Sequence, residues 1–364
     1  MRIARPMLMV AALSLAAACS DESSNDGGPF GLETEPTPEV ARSPLSSITV
    51  MTRNMYVGAN VDAVIAALIT PDPADDQAAL FEAISTLQET AFPARAAAIA
   101  EEIAGARPHV IGLQEVSKVD ITLPPLGIDV HLDFLPTLLA ELEARGLHYD
   151  VAARVTNIQA APFAGVSVVD EDALLVDPDR VEVHGVDARS FSANIGPVAP
   201  GVVLARGWVS ASVTVDGKTY TIASTHLESG DVAGLDQLRA AQATELAGAL
   251  SGAGPTILVG DLNDVPGSLM YQVLSGAGFI DVWAELRGAA IGYTCCHQPD
   301  LSNQVQQFDE RIDYVLVRDA AALKGRILRV GEVPADHLTG PAHRLWPSDH
   351  AGLVAGLFAH DATP

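Results

Sequence analysis

Residues 256–264, Thr-Ile-Leu-Val-Gly-Asp-Leu-Asn-Asp, set the strongest limit on how this chain can fold. The apolar, partly β-branched start reads as a buried strand. Gly260 ends it. Asp261 and Asn263 follow one residue apart, so both can project to the same side of the strand's end. Asp261 can accept a proton, and Asn263 can donate a hydrogen bond to an anionic oxygen. The bland reading is a polar turn after a core strand, since Asp and Asn are ordinary turn residues. The choice depends on whether other strands of the chain end the same way.

Apolar strand-like runs at 48–52, 110–113 and 220–225 are followed by Asn54, Glu115 and His226. Asp313 lies inside a strand at 312–317, and Asp349 with His350 closes the segment Pro347-Ser348-Asp349-His350. A carboxylate in an otherwise apolar strand is costly to bury alone, so Asp313 asks for a partner. His350 is the candidate, giving an Asp–His pair that fixes the imidazole tautomer and raises its basicity. Further strands are expected at 149–156, 173–176, 181–184, 203–215, 327–333 and 352–358, with Asp216-Gly217 as a hairpin turn. Helices are expected at 61–70, 78–104, 133–145 and 233–250, with Pro93 restarting or kinking the second. There is no internal repeat. Strands and helices intermix throughout, so one α/β domain with strand pairs packed as two sheets is expected. Segments 116–135 and 185–202 read as irregular insertions near the mouth of a site, where substrate choice would reside.

The short motifs now stand in one series: Thr52-Arg53-Asn54, Leu113-Gln114-Glu115, Ser224-Thr225-His226-Leu227, Gly260-Asp261-Leu262-Asn263, Arg311-Ile312-Asp313-Tyr314 and Ser348-Asp349-His350. In this order and spacing they resemble the endonuclease/exonuclease/phosphatase superfamily over about residues 46–360. That superfamily includes deoxyribonuclease I, the exonuclease III-type apurinic endonucleases, neutral sphingomyelinases and inositol-polyphosphate phosphatases. The resemblance implies a four-layer α/β sandwich with two central mixed or antiparallel sheets flanked by helices. It implies that Glu115, with Asn54 beside it, holds a divalent cation, magnesium or in its place manganese or calcium. A hard cation held by few carboxylates and several waters suits magnesium. It further implies that Asp261 and Asn263 orient the nucleophile and the phosphoryl group, that His226 contacts a phosphate oxygen, that Asp349 and His350 form the closing pair, and that Asp313 supports His350. His226 leans toward the deoxyribonuclease and sphingomyelinase branches, because the exonuclease III type carries Asn there. A cation, an amide and two imidazoles can offset the charge that water attack builds on a phosphoester. Either Asp261 or His350 can take the proton.

Two features depart from the resemblance. Where the apurinic endonucleases carry a tyrosine before a strand, this chain has Val169-Asp170-Glu171-Asp172. Asp172 either faces the site as a second metal-linked carboxylate or belongs to a solvated acidic turn. Tyr293-Thr294-Cys295-Cys296-His297 precedes the Arg-Ile-Asp-Tyr strand. Cys295 and Cys296 can pair as a vicinal disulfide in an oxidising compartment or remain inert thiols. A zinc site from Cys295, Cys296 and His297 is the remaining option, although adjacent residues seldom converge on one tetrahedral ion.

Residues 1–19 read as an export signal: Arg2 and Arg5, an apolar stretch over 7–15, then Ala16-Ala17-Ala18-Cys19. The stretch is too short to span a bilayer. Ala-Ala-Ala-Cys resembles a bacterial lipobox in which Cys19 becomes a lipidated N-terminus, and plain secretion after Ala18 is the alternative. Residues 20–45, rich in Ser, Asp, Glu, Gly and Pro, form a tether that cannot bury a core. The formal charge of −25 becomes −27 without Arg2 and Arg5. Such a surface repels polyanions at long range, so nucleic acid enters only as a substrate. The sequence therefore leads to an exported, metal-dependent phosphoesterase, expected to be a monomer, that acts on a lipid or small-molecule phosphodiester. A secreted nuclease and a catalytically silent surface binding module are the rivals.

Overall fold

The strand Ile48–Asn54 is buried along its whole length, as a strand covered on both faces must be. It pairs in parallel with Val110–Gln114 and antiparallel with Gly352–Phe358. The computed structural model describes residues 48–70, 72–319, 324–336, 338–339 and 344–358. The export signal expected at 1–19, with Cys19, and the tether expected at 20–45 lie outside the described residues.

From this centre the first sheet continues through Val166–Val176 and Asp150–Ala160 to Val202–Leu204 and Gly196–Ala199. Beyond Gly352–Phe358 its other edge is Lys324–Val330. The second sheet runs in space from Ile280–Asp281 through Asp313–Arg318, Thr256–Asp261, Lys218–His226 and Gly207–Val215 to Glu182–Ser190. Each sheet is mixed: Ile48–Asn54 with Val110–Gln114, and Lys218–His226 with Thr256–Asp261, are parallel pairs among antiparallel neighbours.

Alternation along the strands builds three apolar layers. Val50, Val110 and Leu174 meet Val209, Ile222 and Val259 between the sheets. Met51, Ile111 and Leu175 on the outer face of the first sheet pack against Ile99 and Ile103 of the helix Phe92–Ala106 and Leu138 of Phe134–Glu143. Ala223, Leu258 and Leu316 of the second sheet do the same against Leu246 of Leu235–Ala249 and Leu274 of Leu269–Gly276. The result is the expected helix–sheet–sheet–helix sandwich. Gly112 lets the sheets meet: a Cβ there would lie 2.5 Å from the Ser224 hydroxyl and 2.6 Å from Val259.

Several expectations need correction. The helical run expected at 78–104 begins earlier, as Pro73–Glu89, and restarts at Pro93 as expected, in the first turn of Phe92–Ala106. The strand expected at 203–215 breaks into Val202–Leu204 and Gly207–Val215. Residues 116–135 are not irregular but hold a hairpin, Lys118–Leu123 with Ile128–Asp133, which joins the first sheet through Val166–Val176. Residues 185–202 carry most of the edge strand Glu182–Ser190 and Gly196–Ala199. The acidic stretch at 169–172 is strand rather than turn. Asp313 opens its strand instead of lying inside it.

Candidate active site

Both parallel strand pairs end at the same rim of the sandwich, and their carboxyl ends carry the polar residues. Asn54 ends one strand and Glu115 follows its parallel neighbour, while His226 and Asp261 are paired across the other sheet. Hydrogen bonds cross between the sheets here. Thr52 Oγ1 donates to Gln114 Oε1 at 3.0 Å, and Gln114 Nε2 donates to Ser224 Oγ at 3.0 Å. One step nearer the rim, the Asn54 amide donates to Glu115 Oε1 at 3.0 Å and to Asp261 Oδ2 at 3.1 Å. Asn54 Oδ1 accepts the Tyr56 amide at 2.9 Å. Asn54 is thus a strut between two carboxylates. Glu115 has a positive φ of 55°, a strained position for a non-glycine residue. Its Oε2 accepts the Val57 amide at 2.7 Å.

His350 arrives from the last segment of the chain. Its Nδ1 is 2.9 Å from Asp313 Oδ2, and its Nε2 faces Asp261 Oδ2 at 3.8 Å and Asp349 Oδ1 at 3.9 Å. Arg311, two residues before Asp313, pairs with Asp281 at 2.7 Å. Two buried arginines fix the loops around this pair. Arg53 donates to the His350 carbonyl and to Glu102. Arg95 donates to the carbonyls of Met55 and Tyr56 on one side and Pro347 on the other. Ser348 Oγ donates to the Asn54 carbonyl at 2.8 Å and accepts the His350 amide at 3.1 Å. His226 Nε2 lies 3.6 Å from Asp261 Oδ2. The Asn263 amide N–H donates to Asp261 Oδ1 and one side-chain hydrogen goes to the Leu227 carbonyl, leaving the second. All eight residues meet at one rim, and all but Asn54 and Asp313 line a single cavity of about 480 Å³.

Burial and then the Asp313 charge push Asp261 above the usual carboxylate range, against the pull of His350. Burial opposes a charged His350, but Asp313, Asp349 and Asp261 outweigh it and hold the imidazole well above its ordinary value. Burial, then Arg206 and His350, hold His226 well below its own. The surroundings thus favour the charged form of His350 and the neutral form of His226. Burial and then Glu115 push Asp170 up to about 7, and Asp349 is raised by burial and by Glu115. This end of the cavity collects more carboxylate than its arginines offset. Oxygen donors in excess around Glu115 fit a hard divalent cation.

Two residues of this end, Arg206 and Asp170, are not picked out by the sequence, and Asp172 reads there as either site-facing or solvated. Arg206, in the break between two strands, is buried and lines the cavity; its Nε contacts Glu228 at 3.3 Å, and its Nη1 has no partner among the described residues. Asp170 lines the cavity and accepts the Ser117 hydroxyl at 2.7 Å. Asp172 is fully buried on the same face of that strand and is not part of the cavity wall. Away from the polar end, the wall is apolar: Val61, Ile65 and Leu68 of the helix Val61–Ile69, with Ile84, Val119 and Val168 opposite. Among the described residues His297 does not converge with Cys295 and Cys296; its Nδ1 contacts Asn303 at 3.0 Å and its ring stacks between Phe308 and Trp346.

Comparison with known proteins supplies the family. The Endonuclease/Exonuclease/phosphatase family model matches residues 79–350. No curated protein sequence matches the chain. Among solved structures, an endonuclease/exonuclease/phosphatase family protein of Bacteroides thetaiotaomicron is 15% identical with a TM-score of 0.57, covering 86% of this chain and 97% of that one. An endonuclease/exonuclease/phosphatase of Beutenbergia cavernae is 21% identical at a TM-score of 0.55, covering 86% and 72%. A mannosyl-6-phosphatase of Bacteroides thetaiotaomicron is 15% identical at 0.53, covering 85% and 99%. At these identities the structures share the fold. The chain belongs to the endonuclease/exonuclease/phosphatase family, whose members are hydrolases of phosphoester bonds that generally use divalent metals.

Proposed function

We propose that this chain is an exported, magnesium-dependent phosphoesterase, lipid-anchored at Cys19, that hydrolyses a lipid or small-molecule phosphodiester by direct attack of water. The observation that carries the reading is the meeting of Asn54, Glu115, His226, Asp261, Asn263, Asp313, Asp349 and His350 around one cavity end. Glu115, with Asn54 beside it, would hold the cation. When bound, that ion supplies Lewis-acid polarisation of a phosphoryl oxygen. The remaining roles belong to the chain's own groups. Asp313 orients His350 through Nδ1, and the surrounding carboxylates favour its charged form. A charged His350 donates a proton or hydrogen bond, so the proton from water goes to Asp261, the carboxyl with a raised affinity for it. Neutral His226 and the free amide hydrogen of Asn263 donate to phosphoryl oxygens.

The preference for an amphiphilic diester over DNA is supported by the apolar wall contiguous with the polar end, and by the formal charge of −25. Among the described residues no helix is long and apolar enough to cross a membrane, so attachment to a bilayer would rest on the lipid. The test is a magnesium-supplemented panel of sphingomyelin, other phospholipids, bis-p-nitrophenyl phosphate, inositol phosphates and DNA, run on wild type and Asp261→Ala. Hydrolysis of a lipid or small diester that disappears in Asp261→Ala supports the reading. Preferential cleavage of DNA would transfer it to a secreted nuclease, and no turnover of any member would favour a binding module.

A further inference from the structure

Cys295 and Cys296 are joined as a disulfide on the wall of the catalytic cavity, and the mechanism above does not use them. Their surroundings are unusual. The segment carrying them is laced between two stretches of the site. On one side the Ala351 amide donates to the Thr294 carbonyl at 2.8 Å and the His297 amide to the Asp349 carbonyl at 3.0 Å. On the other, Cys295 exchanges backbone hydrogen bonds with Glu310 at 3.0 and 3.1 Å. The Thr294 hydroxyl accepts the amides of Ile312 and Asp313, both at 3.2 Å. These bonds hold the backbone of the segment beside His350 without using either sulfur. The two sulfurs and a ring nitrogen of His350 all lie within 4.8 Å of one another. Cys295 is 1% exposed, whereas Cys296 is exposed to solvent.

We propose that reduction of this disulfide opens a second metal site, for a thiophilic divalent ion such as zinc, built from the sulfurs of Cys295 and Cys296 and Nε2 of His350. Adjacent cysteines usually fail to reach one ion because alternate side chains point apart. Here both sulfurs already face each other, as their bond requires. Two thiolates and an imidazole form a soft set that favours zinc over magnesium. Nδ1 of His350 is engaged by Asp313, the arrangement that orients a histidine ligand through its other nitrogen. The chemistry balances with a dithiol reductant. Its first thiolate attacks the accessible Cys296 sulfur and releases Cys295 as a thiolate. Its second thiolate resolves the mixed disulfide, so the reductant leaves as its own disulfide, having given two electrons to the cystine. Zinc then displaces the protons of the two thiols and of Nε2. Because His350 serves both sites, zinc bound to the reduced pair and phosphoester hydrolysis exclude each other.

This consequence rests on the phosphoesterase reading, but the site itself does not. The experiment therefore measures metal uptake first. Full-length protein is treated anaerobically with a dithiol, desalted, and titrated with zinc against a chromophoric chelator in excess magnesium. One zinc per chain is expected on reduced protein and none on oxidised protein or on reduced Cys295→Ser/Cys296→Ser. Cobalt in place of zinc should give thiolate charge-transfer absorption only in reduced wild type, a readout that needs no variant. His350→Ala removes a direct ligand and should weaken zinc by more than the roughly 10- to 100-fold that loss of an outer-shell partner costs. Equal uptake by the reduced and oxidised proteins, no cobalt–thiolate band, or unchanged affinity in a folded His350→Ala overturns the site. In an activity assay, one equivalent of zinc should silence only the reduced enzyme. A protein inactive on every phosphoester yet binding zinc as described would sink the function and leave this site standing.

Discussion

At the scale of single residues, Asp313 holds Nδ1 of His350 while Nε2 faces Asp261 and Asp349. Asp313→Asn keeps the shape but presents no anion to Nδ1. Its kcat is expected to fall by about 10²- to 10⁴-fold, the usual weight of a misdirected acid–base group, with the circular dichroism spectrum unchanged. An unaltered kcat would remove Asp313 from the machinery. Away from the site, His109 Nδ1 accepts the Thr49 amide at 2.9 Å, and burial followed by the Arg180 charge pushes the imidazole down to about 4. Its folded value thus lies below its ordinary value of 6.5. The stability it contributes is complete above 6.5 and is lost as pH falls from there toward about 4. His109→Asn keeps an acceptor and cannot charge. Urea midpoints measured across that interval should fall on acidification in wild type and fall less in the variant; parallel curves would contradict the assignment.

At the scale of elements, the parallel strand pairs do the positioning, because their carboxyl ends coincide at one rim. That was legible in the sequence: an apolar run stopping at Asn54, Glu115, His226 or Asp261 carries its own boundary. The Asp313–His350 pair was legible for a different reason, the cost of a lone carboxylate in an apolar strand. The hairpin Lys118–Leu123 with Ile128–Asp133 was not, since Pro124 and Pro125 mask its turn and its outward residues are exposed. The edge strand Glu182–Ser190 was legible only at its start, within 181–184; the rest is almost wholly exposed, and its pairing with Gly207–Val215 makes it a strand. Arg206 and Asp170 join the site through partners far along the chain, Glu228 and Ser117, which no local pattern encodes. The closeness of the sheets was equally hidden, and it is testable. Gly112→Ala places a methyl group against Ser224 and Val259. It should lower stability by about 1–3 kcal/mol, the cost of overpacking, read as a reduced urea midpoint; an unshifted midpoint would show that the sheets can part freely there.

At the scale of the whole molecule, a chain with a formal charge of −25 has a cavity end that itself gathers carboxylates, so under the proposed function a cation would be needed to admit an anionic ester. An apolar wall beside that end suits the proposed substrate, part water-soluble and part apolar. The most direct test of this account is the rate of bis-p-nitrophenyl phosphate hydrolysis as magnesium is returned to chelator-treated protein, for wild type and Glu115→Ala. The account predicts a silent chelated enzyme, saturable recovery in wild type, and little or no recovery in Glu115→Ala. Hydrolysis that persists undiminished in chelator, or a Glu115→Ala curve that overlays wild type, would contradict it.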